Sequence, residues 1–164
     1  MPKEDYRRLQ EVAQRLRNSE PPFFRGNHIG SVEAWVRDAG KCQYCGRYLY
    51  DSYAVLGDSD TDHILPRSKY ELFKHEARNL VACCIECNKI KGDWDPATEA
   101  TGQPELEIKT LADLETHRDE LINRTREHIQ RTPDKWQALF EKARRNFEDA
   151  VAEYRRANLE AKSA

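Results

Sequence analysis

Two Cys-x-x-Cys pairs constrain this chain more than any other feature of its sequence. Cys42 and Cys45 form the first pair, Cys84 and Cys87 form the second, and residues 46–83 lie between them. Structural zinc prefers four thiolates in a tetrahedron, and each Cys-x-x-Cys turn can supply two. The spacing therefore predicts one zinc ion that fixes two distant segments of chain, with a substructure between the two turns.

Disulfides and buried free thiols are the alternative interpretations of these cysteines. The residues before the first pair begin Met-Pro-Lys-Glu-Asp-Tyr, which is polar and charged and does not resemble a secretory signal. We therefore expect a cytoplasmic protein, and a reducing compartment disfavours disulfides. Cys83 is the fifth cysteine. It would leave a less usual gap before Cys87, so we predict a small buried side chain outside the metal site.

Composition limits the classes of protein to be considered. The chain has 164 residues, of which 38% are hydrophobic and 34% charged. These values predict one domain, or one domain with helical extensions, and its modest core would gain from a metal ion or an oligomer interface. No apolar run is long enough for a membrane span. The net charge of −2 does not by itself indicate a nucleic-acid partner.

The distribution of charge is more informative than its sum. Residues 42–62 contain one Arg and four Asp, whereas residues 63–91 contain six Lys or Arg and three Glu. A site that binds both a divalent cation and a phosphate would need acid and base side by side. Ordinary surface charge explains the same pattern about as well.

Hydrophobic periodicity and turn residues predict the elements around the cysteines. We expect a helix over residues 3–18 and a short helix capped by Ser31 that stops near Gly40. Residues 47–56 and 61–65 read as two strands joined by a turn, which would place Asp62 and His63 on or beside a hairpin. A helical turn is expected within residues 70–75. A further helix should follow the second cysteine pair and end at Gly92.

The C-terminal third is predicted to be helical. Thr110 and Asp113 have the spacing of a capping box. Two apolar stripes with helical spacing follow, and they favour core or helix-pair packing. The stripes are Leu111, Leu114, Leu121, Ile122 and Ile129, and then Trp136, Leu139, Phe140, Ala143, Phe147, Val151 and Tyr154.

Four polar residues between and beside the cysteine pairs have the chemistry of phosphodiester hydrolysis. A neutral histidine such as His63 can deprotonate water near pH 7. Asp62 and Asn88 offer oxygen ligands, which suit Mg²⁺ or Mn²⁺ better than zinc. Asn79 precedes the second cysteine pair. Taken singly, each residue has an ordinary explanation as a turn, cap or surface residue, and their combination carries the hypothesis.

The order of these motifs resembles the HNH endonuclease family. The resemblance runs from Cys42 to Gly92 and comprises Cys-x-x-Cys, Asp-His-Ile-x-Pro, Asn-Leu and Cys-x-x-Cys-Asn-x-x-Lys. It implies a ββα-metal finger, a β-hairpin followed by a helix around one catalytic divalent ion. The fold class expected for the whole chain is α+β, mostly α, with N-terminal helices and a C-terminal helical hairpin flanking the finger. The chain would be an H-N-N variant of the family.

The resemblance also implies a role for each polar residue. His63 would be the general base, and Asp62 and Asn88 would be ligands of Mg²⁺ or Mn²⁺. Asn79 would brace the loop and orient the histidine. The cysteines would hold structural Zn²⁺. The basic residues assigned to substrate binding are Arg67, Lys89 and Lys91.

The expected domains are a helical segment (1–41), an HNH core with a four-cysteine zinc site (42–92), a linker (93–104) and a helical region (105–164). The expected function is metal-dependent hydrolysis of DNA, which is favoured over RNA. The alternatives are a non-catalytic zinc finger that binds nucleic acid and an adaptor. The C-terminal helices could supply a homodimer or a protein-partner surface, and no membrane partner is expected.

Overall fold

The computed structural model describes residues 3–19, 28–98, 103–132 and 141–152. The chain divides into two compact units, residues 1–129 and residues 130–164. In the second unit, residues 141–152 are helical and Phe147 is 69% exposed. The elements in chain order are α1 (Lys3–Arg17), α2 (Ile29–Arg37), α3 (Tyr53–Gly57), β1 (Ser59–His63), 3-10 turns at Glu71–Phe73 and Ala77–Asn79, β2 (Leu80–Cys84), α4 (Ile85–Lys91) and α5 (Leu111–Arg131).

Two antiparallel strands and one helix form the centre of the first unit. In the register, Ser59 lies opposite Cys84 and His63 lies opposite Leu80. Helix α4 begins directly after β2, so strand, strand and helix form a ββα arrangement. A two-stranded sheet is marginal by itself. Here all five residues of β2 are buried, and the helices that cover it supply the missing core. The predicted α+β, mostly α fold class with a ββα finger is confirmed, whereas the predicted C-terminal helical hairpin includes residues 133–140, which lie outside the described residues.

The predicted hairpin is wrong in its partner strand. Within residues 47–56, Tyr48 forms a single bridge with Lys41, and α3 begins at Tyr53 with its first turn capped by Ser52. Strand β1 pairs instead with β2, which was not among the predicted strands. The physical reason is burial. The β2 residues form an unbroken apolar run, which stabilises the fold most when helices bury it. Residues 47–56, in contrast, include charged and polar side chains.

Most of the predicted helices are confirmed, with shifted ends. Helix α2 begins at Ile29, two residues before the expected cap at Ser31. Helix α4 ends where Gly92 adopts φ +53°, a conformation that favours glycine. At the start of α5, Asp113 Oδ2 accepts from the Thr110 N–H at 2.7 Å, and Thr110 Oγ1 accepts from the Asp113 N–H at 3.2 Å. These two bonds form the predicted capping box.

Helix α5 is part of the core of the first unit. Leu114, Leu121 and Ile122 are buried in the same cluster as the cysteines and β2, as its apolar stripe predicts. Arg126 Nε also donates to the Gln43 carbonyl oxygen at 2.7 Å, which joins α5 to the first cysteine turn. Of the second predicted stripe, Trp136, Leu139, Phe140 and Tyr154 lie outside the described residues. No helix within the described ranges has the length and hydropathy needed to cross a bilayer.

Candidate active site

Four sulfurs lie together at one end of the sheet. The Sγ atoms of Cys42, Cys45, Cys84 and Cys87 all lie within 4.8 Å of one another, and those of Cys45 and Cys84 are 3.8 Å apart. In a tetrahedron with Zn–S bonds of about 2.3 Å, the sulfurs would be about 3.8 Å apart. All five cysteines are free thiols, so the disulfide alternative does not apply. The cluster is suited to zinc.

The first cysteine turn is closed by its own backbone and attached to the sheet. Gly46 adopts φ +78°, a left-handed conformation that glycine reaches without strain. Its N–H donates to the Cys42 carbonyl oxygen at 2.9 Å, and the Gln43 N–H donates to the Ala82 carbonyl oxygen at 2.9 Å. This second bond fixes the turn against β2, so the two cysteine pairs meet although they are distant in sequence.

The crowded thiols of the cluster change one another's pKa through hydrogen bonds. Hydrogen bonds from Cys84 and Cys87 lower the pKa of Cys42, and the bond to Cys42 raises the pKa of Cys84 to about 11. Such thiols can ionise together when a cation neutralises them. Cys83 is fully buried outside the cluster, and burial raises its pKa. The prediction that Cys83 is a small core side chain is confirmed.

Asp62 is a buried carboxylate on β1, 7% exposed. Its Oδ2 accepts a hydrogen bond of 2.6 Å from the Tyr44 hydroxyl and forms an ion pair of 3.1 Å with Lys91 Nζ. Both contacts use the same oxygen. Burial and the nearby charge of Asp62 raise the pKa of Tyr44 well above its ordinary value, so the phenol stays protonated and donates.

Lys91 reaches inward from α4 and is 3% exposed. Besides the ion pair with Asp62, its Nζ donates to the His63 carbonyl oxygen at 2.7 Å. The ammonium thus contacts both residues of the Asp-His dipeptide, the side chain of Asp62 and the backbone of His63. Arg67 and Lys89, the other basic residues assigned to substrate binding, are exposed.

His63 is half-buried at the end of β1. Its Nε2 lies 2.8 Å from the Lys74 carbonyl oxygen. Because a carbonyl oxygen can only accept, Nε2 carries the proton, and in the neutral imidazole Nδ1 is the basic nitrogen. Successive side chains of a strand point to opposite faces. Asp62 accordingly contacts α4 and the first cysteine turn, whereas His63 contacts the loop after β1.

Asn79 is fully buried and fastens the loop that follows His63. Its Oδ1 accepts from the Leu65 N–H at 2.9 Å, and its Nδ2 donates to the Leu65 carbonyl oxygen at 3.1 Å and to that of Phe73 at 3.4 Å. The backbone of Asn79 accepts from the Ile64 N–H at 2.8 Å. Together these bonds hold the two residues directly after His63.

Asn88 lies on α4 near β1, where its Nδ2 donates to Asp60 Oδ2 at 3.3 Å. The other oxygen of Asp60 accepts from the Thr61 N–H at 2.7 Å. Asp60 lies two residues before Asp62 and therefore on the same face of β1. Neither Asp60 nor Tyr44 was among the predicted site residues. The alternation of β1 could have indicated Asp60, but no sequence signal indicated Tyr44.

The HNH endonuclease family model matches residues 42–93. Residues 42–93 belong to the HNH family. Among solved structures, the chain is similar to the crystal structure of the Type II-C Cas9 enzyme from Actinomyces naeslundii. That match has 24% identity and a TM-score of 0.37, and it covers 75% of this chain and 13% of that chain. No curated protein matches the chain.

A buried ionic network supports the HNH domain from outside the site. Asp38, at the end of α2, pairs with Arg37 at 2.9 Å and accepts from the Ala82 N–H of β2 at 2.9 Å. Arg118 of α5 approaches the same carboxylate at 3.7 Å, and burial lowers its pKa to about 10. The network ties two flanking helices to the central strand. Ala82 and Arg118 are too far from Asp38 in sequence for a local pattern to reveal these contacts.

Proposed function

We propose that the HNH domain is a metal-dependent nuclease that hydrolyses phosphodiester bonds in DNA, with His63 as the general base. The observation that carries the proposal is the Nε2 contact of His63 with the Lys74 carbonyl oxygen at 2.8 Å. It leaves Nδ1 basic and fixes the ring. A neutral imidazole held in this way can take a proton from water near neutral pH.

Asp62 and Asn88 are the residues proposed to hold a divalent ion. The described contacts of Asp62 with Tyr44 and Lys91 use Oδ2, so Oδ1 can serve as a ligand. The Asn88 amide nitrogen faces Asp60, which turns the amide oxygen the other way. Carboxylate and amide oxygens fit Mg²⁺ or Mn²⁺. When bound, such an ion would stabilise negative charge on the phosphate and on the departing oxygen.

We further propose that the four cysteines hold zinc and take no part in the reaction. Four sulfurs complete a tetrahedral shell and leave no open position for water or substrate. Zinc would then hold the first cysteine turn against the start of α4 and so support the strand that carries Asp62.

Exposed Arg67 and Lys89 are proposed to contact backbone phosphates. Such contacts position a nucleic acid without reading its sequence. Lys91 is buried and bonded to Asp62 and His63. These contacts favour a role in holding the Asp62 carboxylate over a contact with phosphate. The proposal of DNA as the substrate rests on the family of the matched segment.

The test is cleavage of supercoiled plasmid by the full chain in Mg²⁺ and in EDTA. We expect wild type to cleave in Mg²⁺ alone, and His63→Ala to lose at least 10²- to 10⁴-fold in rate, roughly the contribution of a general base. The control is His117→Ala, because His117 pairs with Glu120 on the surface of α5. That variant should cleave like wild type.

Two results would contradict the proposal. Undiminished cleavage by a folded, zinc-loaded His63→Ala variant would exclude His63 as the general base. DNA binding by wild type without cleavage in either Mg²⁺ or Mn²⁺ would instead favour the non-catalytic zinc finger.

A further inference from the structure

Tyr44 connects the two polar centres of the HNH domain. It lies between Cys42 and Cys45 in the first cysteine turn, and its side chain is 4% exposed. From there its hydroxyl reaches Asp62 Oδ2 at 2.6 Å, a short bond of the charge-assisted kind. One turn therefore supplies two sulfurs to the zinc cluster and one hydrogen bond to the carboxylate proposed to hold the divalent ion.

The two contacts of Asp62 come from different elements and converge on one oxygen. Tyr44 approaches from the cysteine turn, and Lys91 Nζ approaches from α4 at 3.1 Å. The terminal torsion of a free aspartate is broad and roughly two-fold, so its two oxygens would exchange. With both donors on Oδ2, the carboxylate has one orientation, in which Oδ1 is the oxygen directed away from both donors.

We propose that Tyr44 is a positioning residue whose hydroxyl holds Asp62 so that Oδ1 is presented to the divalent ion. The inference rests on the proposed function. The backbone next to Tyr44 is fixed to the sheet. The Gln43 N–H donates to the Ala82 carbonyl oxygen of β2 at 2.9 Å, and Ala82 lies opposite Thr61 of β1. The zinc cluster thus acts on the carboxylate through a rigid turn as well as through the overall fold.

The chain contains a matched control for this interaction. Tyr70 also interacts with a buried aspartate, Asp95, and burial together with that carboxylate raises the pKa of Tyr70 to about 12. Asp95 also forms an ion pair with a lysine, because Lys69 Nζ lies 3.3 Å from its Oδ2. The Tyr70–Asp95 pair therefore has the chemistry of Tyr44–Asp62 but lies outside the proposed site. Replacing either tyrosine by phenylalanine removes one oxygen and keeps the ring.

The experiment is calorimetric titration of the zinc-loaded full chain with Mn²⁺, without DNA. We expect Tyr44→Phe to weaken Mn²⁺ binding about 10- to 100-fold, the usual effect of removing a partner that orients a metal ligand. Tyr70→Phe should bind Mn²⁺ like wild type. Bound zinc is measured in every sample to show that the cysteine cluster is intact. Equal Mn²⁺ affinity in Tyr44→Phe and wild type would overturn the inference.

The outcomes separate this inference from the proposed function. Normal Mn²⁺ binding by wild type with a weakened Tyr44→Phe, but no cleavage by wild type, would leave the positioning role and overturn the nuclease. Cleavage by wild type with unchanged metal affinity in Tyr44→Phe would leave the nuclease and overturn the positioning role. No Mn²⁺ binding by wild type would overturn both.

A measurement on wild type keeps the inference testable if Tyr44→Phe loses zinc. Carbon NMR of ring-labelled tyrosine can follow Tyr44 and Tyr70 during a Mg²⁺ titration. We expect the Tyr44 signal to shift with saturation while the Tyr70 signal stays. A Tyr44 signal that does not move at saturating Mg²⁺ would overturn the inference.

Discussion

The two strands of the HNH domain carry two polar centres of different construction. At one end, four sulfurs lie within 4.8 Å of one another. Along the same strands lies Asp62, with His63 opposite Leu80 at the far end of the ladder. The sulfur cluster is complete in itself. The Asp62–His63 centre depends on neighbours, because Tyr44, Lys91, the Lys74 carbonyl oxygen and Asn79 each hold part of it.

The difference fits the proposed division between a centre that holds the domain together and a centre that acts on the substrate. Soft sulfurs in a closed shell suit an ion that never exchanges with substrate. An oriented carboxylate with one oxygen outside its described contacts, followed in the sequence by an imidazole with one basic nitrogen, suits an ion and a water that must turn over. Damage to the first centre should therefore abolish both centres, whereas damage to the second should leave the first intact.

The largest expected effect comes from removing a zinc ligand. Cys45→Ser should lose bound zinc and the cooperative unfolding transition of the domain, because structural zinc binding contributes on the order of 10 kcal/mol in small zinc domains. Metal content and thermal denaturation measure both effects. The matched control is Cys83→Ala, a buried thiol outside the cluster, which should keep its zinc and lose about 1 kcal/mol of stability. Normal stability of zinc-free Cys45→Ser would refute the separation of the two centres.

An intermediate effect is expected at the brace of the second centre. Asn79→Ala removes three hydrogen bonds and leaves the Leu65 N–H buried without its partner, which should cost about 2–3 kcal/mol. Zinc should remain bound. Amide hydrogen exchange should become faster at Leu65 and Ile64, and cleavage should slow because the segment after His63 loosens. Unchanged exchange at Leu65 would show that the backbone alone holds the loop.

The smallest effect is expected at Asp60, which orients Asn88 at the surface. Asp60→Ala removes the acceptor of the Asn88 amide, and one such bond is worth about 0.5–1 kcal/mol. The Mg²⁺ concentration for half-maximal cleavage should therefore rise about two- to fivefold, with little change in stability. Asp58→Ala removes the same charge from an exposed position two residues earlier. An equal rise in both variants would mean that Asp60 acts through its charge rather than through Asn88.

Local patterns predicted the elements that local geometry controls. The capping box at Thr110, the apolar stripe of α5 and the extent of α4 follow from residues three to seven positions apart. The same is true of each cysteine turn. The pairing of strands is not local, and the partner predicted for β1 was wrong. Residues 80–84 became that partner because they are buried and α2 packs against them, and α2 is distant in sequence.

By itself, the sequence determined the chemistry of this protein. It specified the four sulfurs, the Asp-His dipeptide and the two asparagines, because residue type and short spacing decide which atoms can bind a metal or a proton. The tertiary structure alone decided how those atoms are oriented. Tyr44 and Lys91 meet on one oxygen of Asp62, and Asn88 faces Asp60. Such contacts depend on the packing of the turn, strands and helix that carry these residues.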